Sequence, residues 1–245
     1  MSSDSLLLVI PTYQESENVK ALLSEILNSS LSYSVLFIDD SSPDGTGNVV
    51  LDATKVNSRV RLISRSKRMG VASAFLLGLR FAIDHQFDWV ACMDADQSHK
   101  LQDLDLMIKK KLNSDISLYI GSRYIEGGKV LGVPKSRRIL SIFGNLLARR
   151  ALLTETRDVT GGFRIYNVSS LSNLEFENLS LGGYGFQLQI LKYFLTLDSQ
   201  IVEFPIEFKA RVYGSSKMKV KTVVEVLSVA LKLGFQIRIQ RWFRR

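Results

Sequence analysis

The sequence predicts an α/β fold: a doubly wound, mostly parallel central sheet flanked by helices, followed by a C-terminal amphipathic helix. Short apolar runs alternate with amphipathic segments as far as Asp94, the pattern of successive βαβ units. Acidic clusters fall where those runs end, at Glu15, at Asp39, Asp40 and Asp44, and at Asp94 and Asp96. In a parallel sheet these ends share one edge, where open α/β folds bind their ligands. No stretch rich in Pro, Gly or Ser divides the chain, so residues 1–218 are expected as one domain and residues 219–245 as a basic helix attached to it.

Leu6 to Ile10 is a continuous apolar run of strand length, expected to stop at Pro11 and to be buried on both faces. Ser16 is placed to cap a helix whose apolar positions Val19, Leu22, Leu23, Ile26 and Leu27 keep helical spacing. Val35 to Ile38 reads as a second strand, ending in the turn-forming run Asp39 to Thr46, and a helix follows. Val60 to Ile63 is a third strand. Gly70 to Ile83 is a helix with small residues on one face, and the run from Phe87 leads to Asp94. A helix from about Asp103 to Leu112 and a strand from Ile116 to Ile120 extend the pattern. Beyond Gly121 it loosens: Gly127, Gly128, Gly132 and Pro134 mark a loop, Ser136 to Leu152 a helix, and Gly161 to Ile165 a turn into a strand. Ile201 to Phe208 alternates around Pro205 as an edge strand pair does.

The chain has 245 residues, enough for one large domain with a full core; it is 46% hydrophobic and 23% charged, without repeats or low-complexity tracts. One cysteine, Cys92, excludes an internal disulfide and a cysteine metal cluster, and two histidines, His85 and His99, argue against a His-based zinc site. The start, Met1 to Ser5, has neither the basic nor the apolar region of an export signal. No window reaches the ~18–20 uninterrupted apolar residues of a transmembrane helix; the nearest candidate, Thr222 to Phe235, is short and contains Glu225 and Lys232. The net charge of +8 is uneven. From Glu203 onward there are ten Lys and Arg residues, and only Glu203, Glu207 and Glu225 are acidic. That asymmetry favours an anionic partner, whether phosphate, nucleic acid or an acidic membrane face; a solvated basic tail is the plain alternative.

Asp94 and Asp96, one residue apart after an apolar run, offer hard oxygen ligands. Mg²⁺ or Mn²⁺ takes one or two carboxylates and fills its shell with water and substrate phosphates. Arg123, Arg137, Arg138, Arg164, Arg211 and Lys217 supply cations further along. Acids for a metal together with guanidinium groups for phosphate suit a metal–diphosphate substrate; surface ion pairs are the competing reading for any single arginine. A dinucleotide oxidoreductase is rejected: its glycine fingerprint belongs after the first strand, where Pro11-Thr-Tyr-Gln-Glu15 stands, and Gly45-Thr-Gly47 lacks the third glycine. No Walker lysine motif is present. No recognition helix or aromatic–basic RNA signature is found, so nucleic acid is not an expected partner.

Six segments in order carry a resemblance: Pro11–Glu15, Ile38–Thr46, Met93–Asp96, Gly121–Tyr124, Thr160–Arg164 and Arg211–Lys217. Over about residues 6–218 the chain resembles the dolichol-phosphate mannosyltransferase group of the family 2 glycosyltransferases, which implies a GT-A fold. The resemblance implies inverting transfer of a hexose, with mannose from GDP-mannose as the first choice, to a polyprenyl or dolichyl phosphate. It implies Mg²⁺ or Mn²⁺ as cofactor, and Asp94, Asp96 and Arg123 at the reacting groups. Pro11, Tyr13, Glu15, Ile38 and Asp40 would line the nucleoside pocket. Asp94 and Asp96 would hold the metal, and Ala95 would let the backbone approach the nucleotide. Arg123, Arg211 and Lys217 would neutralise phosphate oxygens. Ser98 stands two residues beyond Asp96, where some relatives place a glutamine as a further metal ligand, and is the third candidate ligand beside Asp94 and Asp96; Gln97 is adjacent, and Lys100 stands where relatives often have proline. Alternatives are a UDP-glucose donor, a saccharide hydroxyl acceptor, and a catalytically silent nucleotide-sugar-binding subunit; intact Asp94 and Asp96 argue against the last.

A phosphomonoester acceptor with a second pKa of roughly 6 is already anionic at neutral pH and needs no general base. A polymer synthase loses ground because the Gln-x-x-Arg-Trp of processive relatives reads Arg238-Ile-Gln-Arg-Trp242 here. In the tail, Val223, Val224, Leu227, Leu231, Phe235, Trp242 and Phe243 mix with Lys232, Arg238, Arg241, Arg244 and Arg245. That mixture suits a helix at the headgroup boundary, with a helix packed on the core as the alternative. The expected location is therefore the cytoplasm, peripheral at the cytoplasmic membrane face or the cytosolic face of the endoplasmic reticulum, and compatible with a small transmembrane partner subunit.

Overall fold

The apolar runs pair as parallel strands because each is too short for a helix and apolar on both faces. The computed structural model describes residues 5–29, 33–110, 112–179, 185–210 and 220–243. Strands β1 (Leu6–Thr12), β2 (Ser34–Asp39), β3 (Val60–Ser64) and β4 (Trp89–Cys92) lie parallel in the order β3-β2-β1-β4. Helices α1 (Ser16–Asn28), α2 (Thr46–Val56) and α3 (Val71–Asp84) connect them. Alternate residues of β1 divide between two cores. Leu7 and Val9 join α3, and Leu6, Leu8 and Ile10 join α1, α2 and α4 (Leu101–Lys109).

Pro11 does not stop the first strand. β1 runs through it to Thr12, with Pro11 opposite Ile38 of β2. Pairing with β4 has already ended at Val9–Cys92, so the missing N–H costs no ladder bond there. Ser16 is the first residue of α1 and not its cap: its N–H donates to Asp44 Oδ2 at 3.1 Å, and the N–H of Glu15 donates to Thr46 Oγ1 at 3.0 Å. The start of α1 is thus held by the turn after β2, a partner supplied from outside the helix.

The second half departs from simple alternation. β5 (Leu118–Ser122) does not pair with β4; β7 (Arg164–Asn167) lies between them, antiparallel to both. β8 (Ile201–Pro205) adds to β5 in parallel as the edge strand. β6 (Lys129–Leu131) and β9 (Glu207–Lys209) form a separate two-stranded ribbon, so the segment around Pro205 divides between two sheets. Because β7 runs backwards, its N-terminal end stands beside the C-terminal ends of β4 and β5, with Arg164 opposite Cys92 and Ile120. The loop before β7 is thereby carried to the same edge as Asp94 and Arg123.

α5 (Lys135–Leu152), α6 (Gly185–Thr196) and α7 (Val220–Phe243) cover the α3 side of the sheet. α7 packs on α5 and α6 through Val226, Ala230, Leu233 and Ile237, all buried in that core. At the crossing, a Cβ on Gly234 would lie 2.0 Å from the carbonyl oxygen of Ala151, so the two backbones meet there.

Candidate active site

Asp94, Ala95 and Asp96 follow the C-terminal end of β4. Ala95 is 2% exposed and Asp96 3%, whereas Asp94 is half-buried. Asp94 faces Gly162: a Cβ built there would lie 3.9 Å from Asp94 Oδ2, at ordinary van der Waals contact. Asp96 Oδ1 accepts from the Ser98 N–H at 3.0 Å and from the Ser98 hydroxyl, around Gln97 at φ 58°. Ser98, expected as a metal ligand, instead turns its hydroxyl into the Asp96 carboxylate and fixes its rotamer. The Ser98 carbonyl accepts from the Lys209 N–H at 3.0 Å, which ties this turn to β9, and Lys100 pairs with Glu207 at 2.6 Å.

Arg123, just beyond β5, closes on Asp158 with Nε at 2.7 Å and Nη2 at 2.8 Å, and its backbone N–H reaches the same carboxylate at 3.1 Å. Asp158 has no exposed surface. Burial by itself would raise its carboxyl, but the Arg123 charge and hydrogen bonds outweigh that and hold it below the usual carboxylate range. The N–H groups of Asp158 and Arg157 donate to Glu203 on β8 at 2.9 and 2.7 Å. Thr160 Oγ1 links Arg123 to Asn145 of α5 at 3.3 and 3.0 Å. Arg123 also lies over the rings of Tyr124 and Phe208, at 5.0 and 5.3 Å.

His99 is buried between the rings of Phe163 and Phe208, with centroids at 5.4 and 5.3 Å. Its Nδ1 has no hydrogen-bond partner among the described residues. Burial pushes its pKa down to about 4, against the opposing pull of Asp96, so the ring is neutral at pH 7.

Arg164, expected among the phosphate-binding cations, is the largest fully buried side chain. It donates to the carbonyls of Gly161 at 3.0 Å, Gln187 at 2.9 Å and Val159 at 2.8 Å. It shapes the loop that carries Gly162 instead of meeting a ligand, because it opens a strand buried along its whole length. Arg137 and Arg138 are exposed on the first turn of α5.

The nucleoside candidates lie at the ends of β1 and β2 on the same edge. Tyr13 is half-buried beneath Arg68, 4.2 Å from the ring centroid. Pro11 is half-buried, and Glu15 Oε2 accepts from Asn18 at 2.5 Å. Ile38 has its side chain wholly in the core, so only its backbone lies near that edge. Asp40 accepts from the N–H groups of Met69 and Gly70 at 2.9 and 2.8 Å and from Arg65. Asp39 accepts from Thr12, Ser42 N–H and the Ser42 hydroxyl at 2.9, 2.9 and 2.6 Å. The repulsion between these neighbouring acids is thus relieved by protein donors. Arg211 and Lys217 lie outside the described residues.

Among the described residues no group of three or more His, Cys, Asp or Glu side chains could hold a metal. The donor set at β4 is the pair Asp94 and Asp96, the number of carboxylates that Mg²⁺ or Mn²⁺ needs when a substrate diphosphate completes the shell. Sequence reasoning missed Asp158, Glu203, Asn145, Arg65 and His99 as parts of this edge. Asp158 had a signal, an acid two residues ahead of the Thr160–Arg164 segment; the others are brought in only by tertiary contact.

The model for "Glycosyl transferase family 2" matches residues 7–175, well over half of the chain. The chain belongs to glycosyl transferase family 2. Among relatives, the Undecaprenyl-phosphate mannosyltransferase of Micrococcus luteus is 33% identical over 233 residues, 95% of either chain. The Polyprenol monophosphomannose synthase of Mycolicibacterium smegmatis is 30% identical over 236 residues, covering 96% of this chain and 89% of that one. The crystal structure of glucosyl-3-phosphoglycerate synthase from Mycobacterium tuberculosis superposes with a TM-score of 0.67 at 16% identity, covering 96% of this chain and 81% of that one. As a family 2 glycosyltransferase the chain has the GT-A architecture its motifs implied.

Proposed function

We propose that this glycosyltransferase moves mannose from GDP-mannose, with inversion, to the phosphate of a polyprenyl phosphate, at the cytoplasmic face of the membrane that carries the lipid. The observation that carries the reading is the pair Asp94 and Asp96 beside the Arg123–Asp158 bridge, in a chain related over nearly its whole length to enzymes named for mannose transfer to polyprenyl phosphates. Asp94 and Asp96 would hold Mg²⁺ or Mn²⁺, which supplies charge stabilisation for the departing diphosphate.

The chain's own residues account for the rest. Gly162 lies beside the Asp94 carboxylate, and Ser98 fixes that of Asp96. Asp158 holds Arg123 in one place, so little side-chain freedom remains to be lost when a phosphate binds beside it. Arg211 and Lys217 join Arg123 as the phosphate-binding cations, with Arg137 and Arg138 at the acceptor. No carboxylate is needed as base, because the acceptor phosphate arrives as an anion. Tyr13 and Glu15 face the nucleoside, while Asp40 contributes by holding the backbone at Met69 and Gly70.

The test is a panel of radiolabelled GDP-mannose, UDP-glucose and other nucleotide-sugars, each incubated with polyprenyl phosphate and Mg²⁺ or Mn²⁺. Lipid-extractable label from GDP-mannose is expected. Label from UDP-glucose alone would reassign the sugar, and none from any donor would overturn the proposal.

A further inference from the structure

α7 is apolar on two sides, and among the described residues only one of them is buried. Val226, Ala230, Leu233 and Ile237 face α5 and α6. Val224, Leu231, Phe235, Ile239 and Trp242 face outward, 56%, 63%, 64%, 40% and 73% exposed. At 100° per residue, Val224, Leu231, Phe235 and Trp242 fall within an arc of about 40°, a stripe about 27 Å long. A helix apolar all round is normally covered all round. The exposed cations Lys232 and Arg238 flank the stripe on opposite sides.

We propose that this outer stripe of α7 is a docking surface for an anionic lipid bilayer, with the helix lying in the headgroup plane. The proposal deepens the polyprenyl-phosphate reading, since it names the surface from which that acceptor would be drawn. Charge decides the occupant. A second copy on this stripe would bring a second Lys232 and Arg238 and a second net charge of +8 to the same contact. Against a bilayer, both extend sideways to lipid phosphates while Leu231, Phe235 and Trp242 enter the acyl boundary. No helix among the described residues is long and apolar enough to cross a membrane, α7 included. The helix is anchored to the catalytic domain along its inner face, so docking would fix how the enzyme stands on the surface.

Trp242 reports the event directly, because Trp89, the other tryptophan, is 2% exposed in the core. The full chain, without donor, is titrated with phosphatidylglycerol-rich vesicles and with pure phosphatidylcholine vesicles, following tryptophan emission and co-sedimentation. A blue shift and sedimentation with the anionic vesicles, weakened by salt, are expected. Leu231→Glu and Phe235→Glu should lower that binding at least tenfold while leaving the melting temperature and transfer to detergent-dispersed acceptor unchanged. Vesicle binding unchanged in both variants would overturn the proposal. So would a chain that does not bind vesicles unless a membrane-spanning partner is supplied, or one that buries the stripe in a stable dimer in solution. Because binding is read without turnover, its failure leaves the transferase assignment standing, and a failed donor panel leaves the docking result standing.

Discussion

Asp158 is wholly buried and still ionised, because Arg123 closes on both of its oxygens. Its folded pKa lies below the unfolded value of about 3.9, so the stability it contributes is complete above that pH and is lost as pH falls further, through the folded pKa. Asp158→Asn leaves the guanidinium without its counter-charge and should cost on the order of 3 kcal/mol in urea unfolding at pH 7. The gap between variant and wild type should narrow below about pH 4; a gap that widens there contradicts the assignment. Turnover should fall too, since Arg123 loses its anchor. Asp96→Asn keeps the Ser98 contacts and should leave the unfolding midpoint in place while lowering turnover by on the order of 10²-fold or more; an active variant would remove Asp96 from the site. At this scale residue type and spacing marked Asp94, Asp96 and Arg123 as candidates, because those side chains state their chemistry. The surroundings of Asp40 and Arg164 were not legible. Nothing local shows that Met69, Gly70 and Arg65 use up one carboxylate, or that three carbonyls surround one guanidinium.

The direction of one strand decides what reaches the site. β7 is four residues long, and the sequence reads a turn into a strand there without fixing the strand's direction. A parallel β7 would have placed the 158–163 loop at the opposite edge, away from Asp94. Helix packing has a comparable pivot. At Gly234 an added methyl would meet the Ala151 carbonyl oxygen, a backbone atom that cannot swing aside. Gly234→Ala should therefore push α7 off α5, lowering stability by about 1–3 kcal/mol and exposing α7 to early proteolytic cleavage. A melting temperature and cleavage pattern matching the wild type would show the crossing to be looser than described. Helix and strand positions in the first half were legible because period and turn residues are local properties. The lateral order of β4, β7, β5 and β8 depends on pairings between distant segments, which no local pattern encodes.

Across the whole molecule, one sheet edge collects chemistry from the ends of β1, β2, β4 and β5 and the loop before β7. Removing divalent ions with EDTA should abolish lipid-linked label, and added Mn²⁺ or Mg²⁺ should restore it, while the melting temperature without substrate moves little. Full turnover in EDTA would show that Asp94 and Asp96 hold no essential ion. The sequence by itself determined the α/β class, the carboxylate pair and a C-terminal helix that is both basic and apolar, since composition, period and spacing carry that information along the chain, and six ordered motifs carried the family resemblance. Tertiary structure alone decided that β7 runs backwards, that Asp158 and Glu203 stand behind Arg123, and which side of α7 is exposed among the described residues. Each of those depends on distant residues meeting in space, where burial and charge compensation select one arrangement.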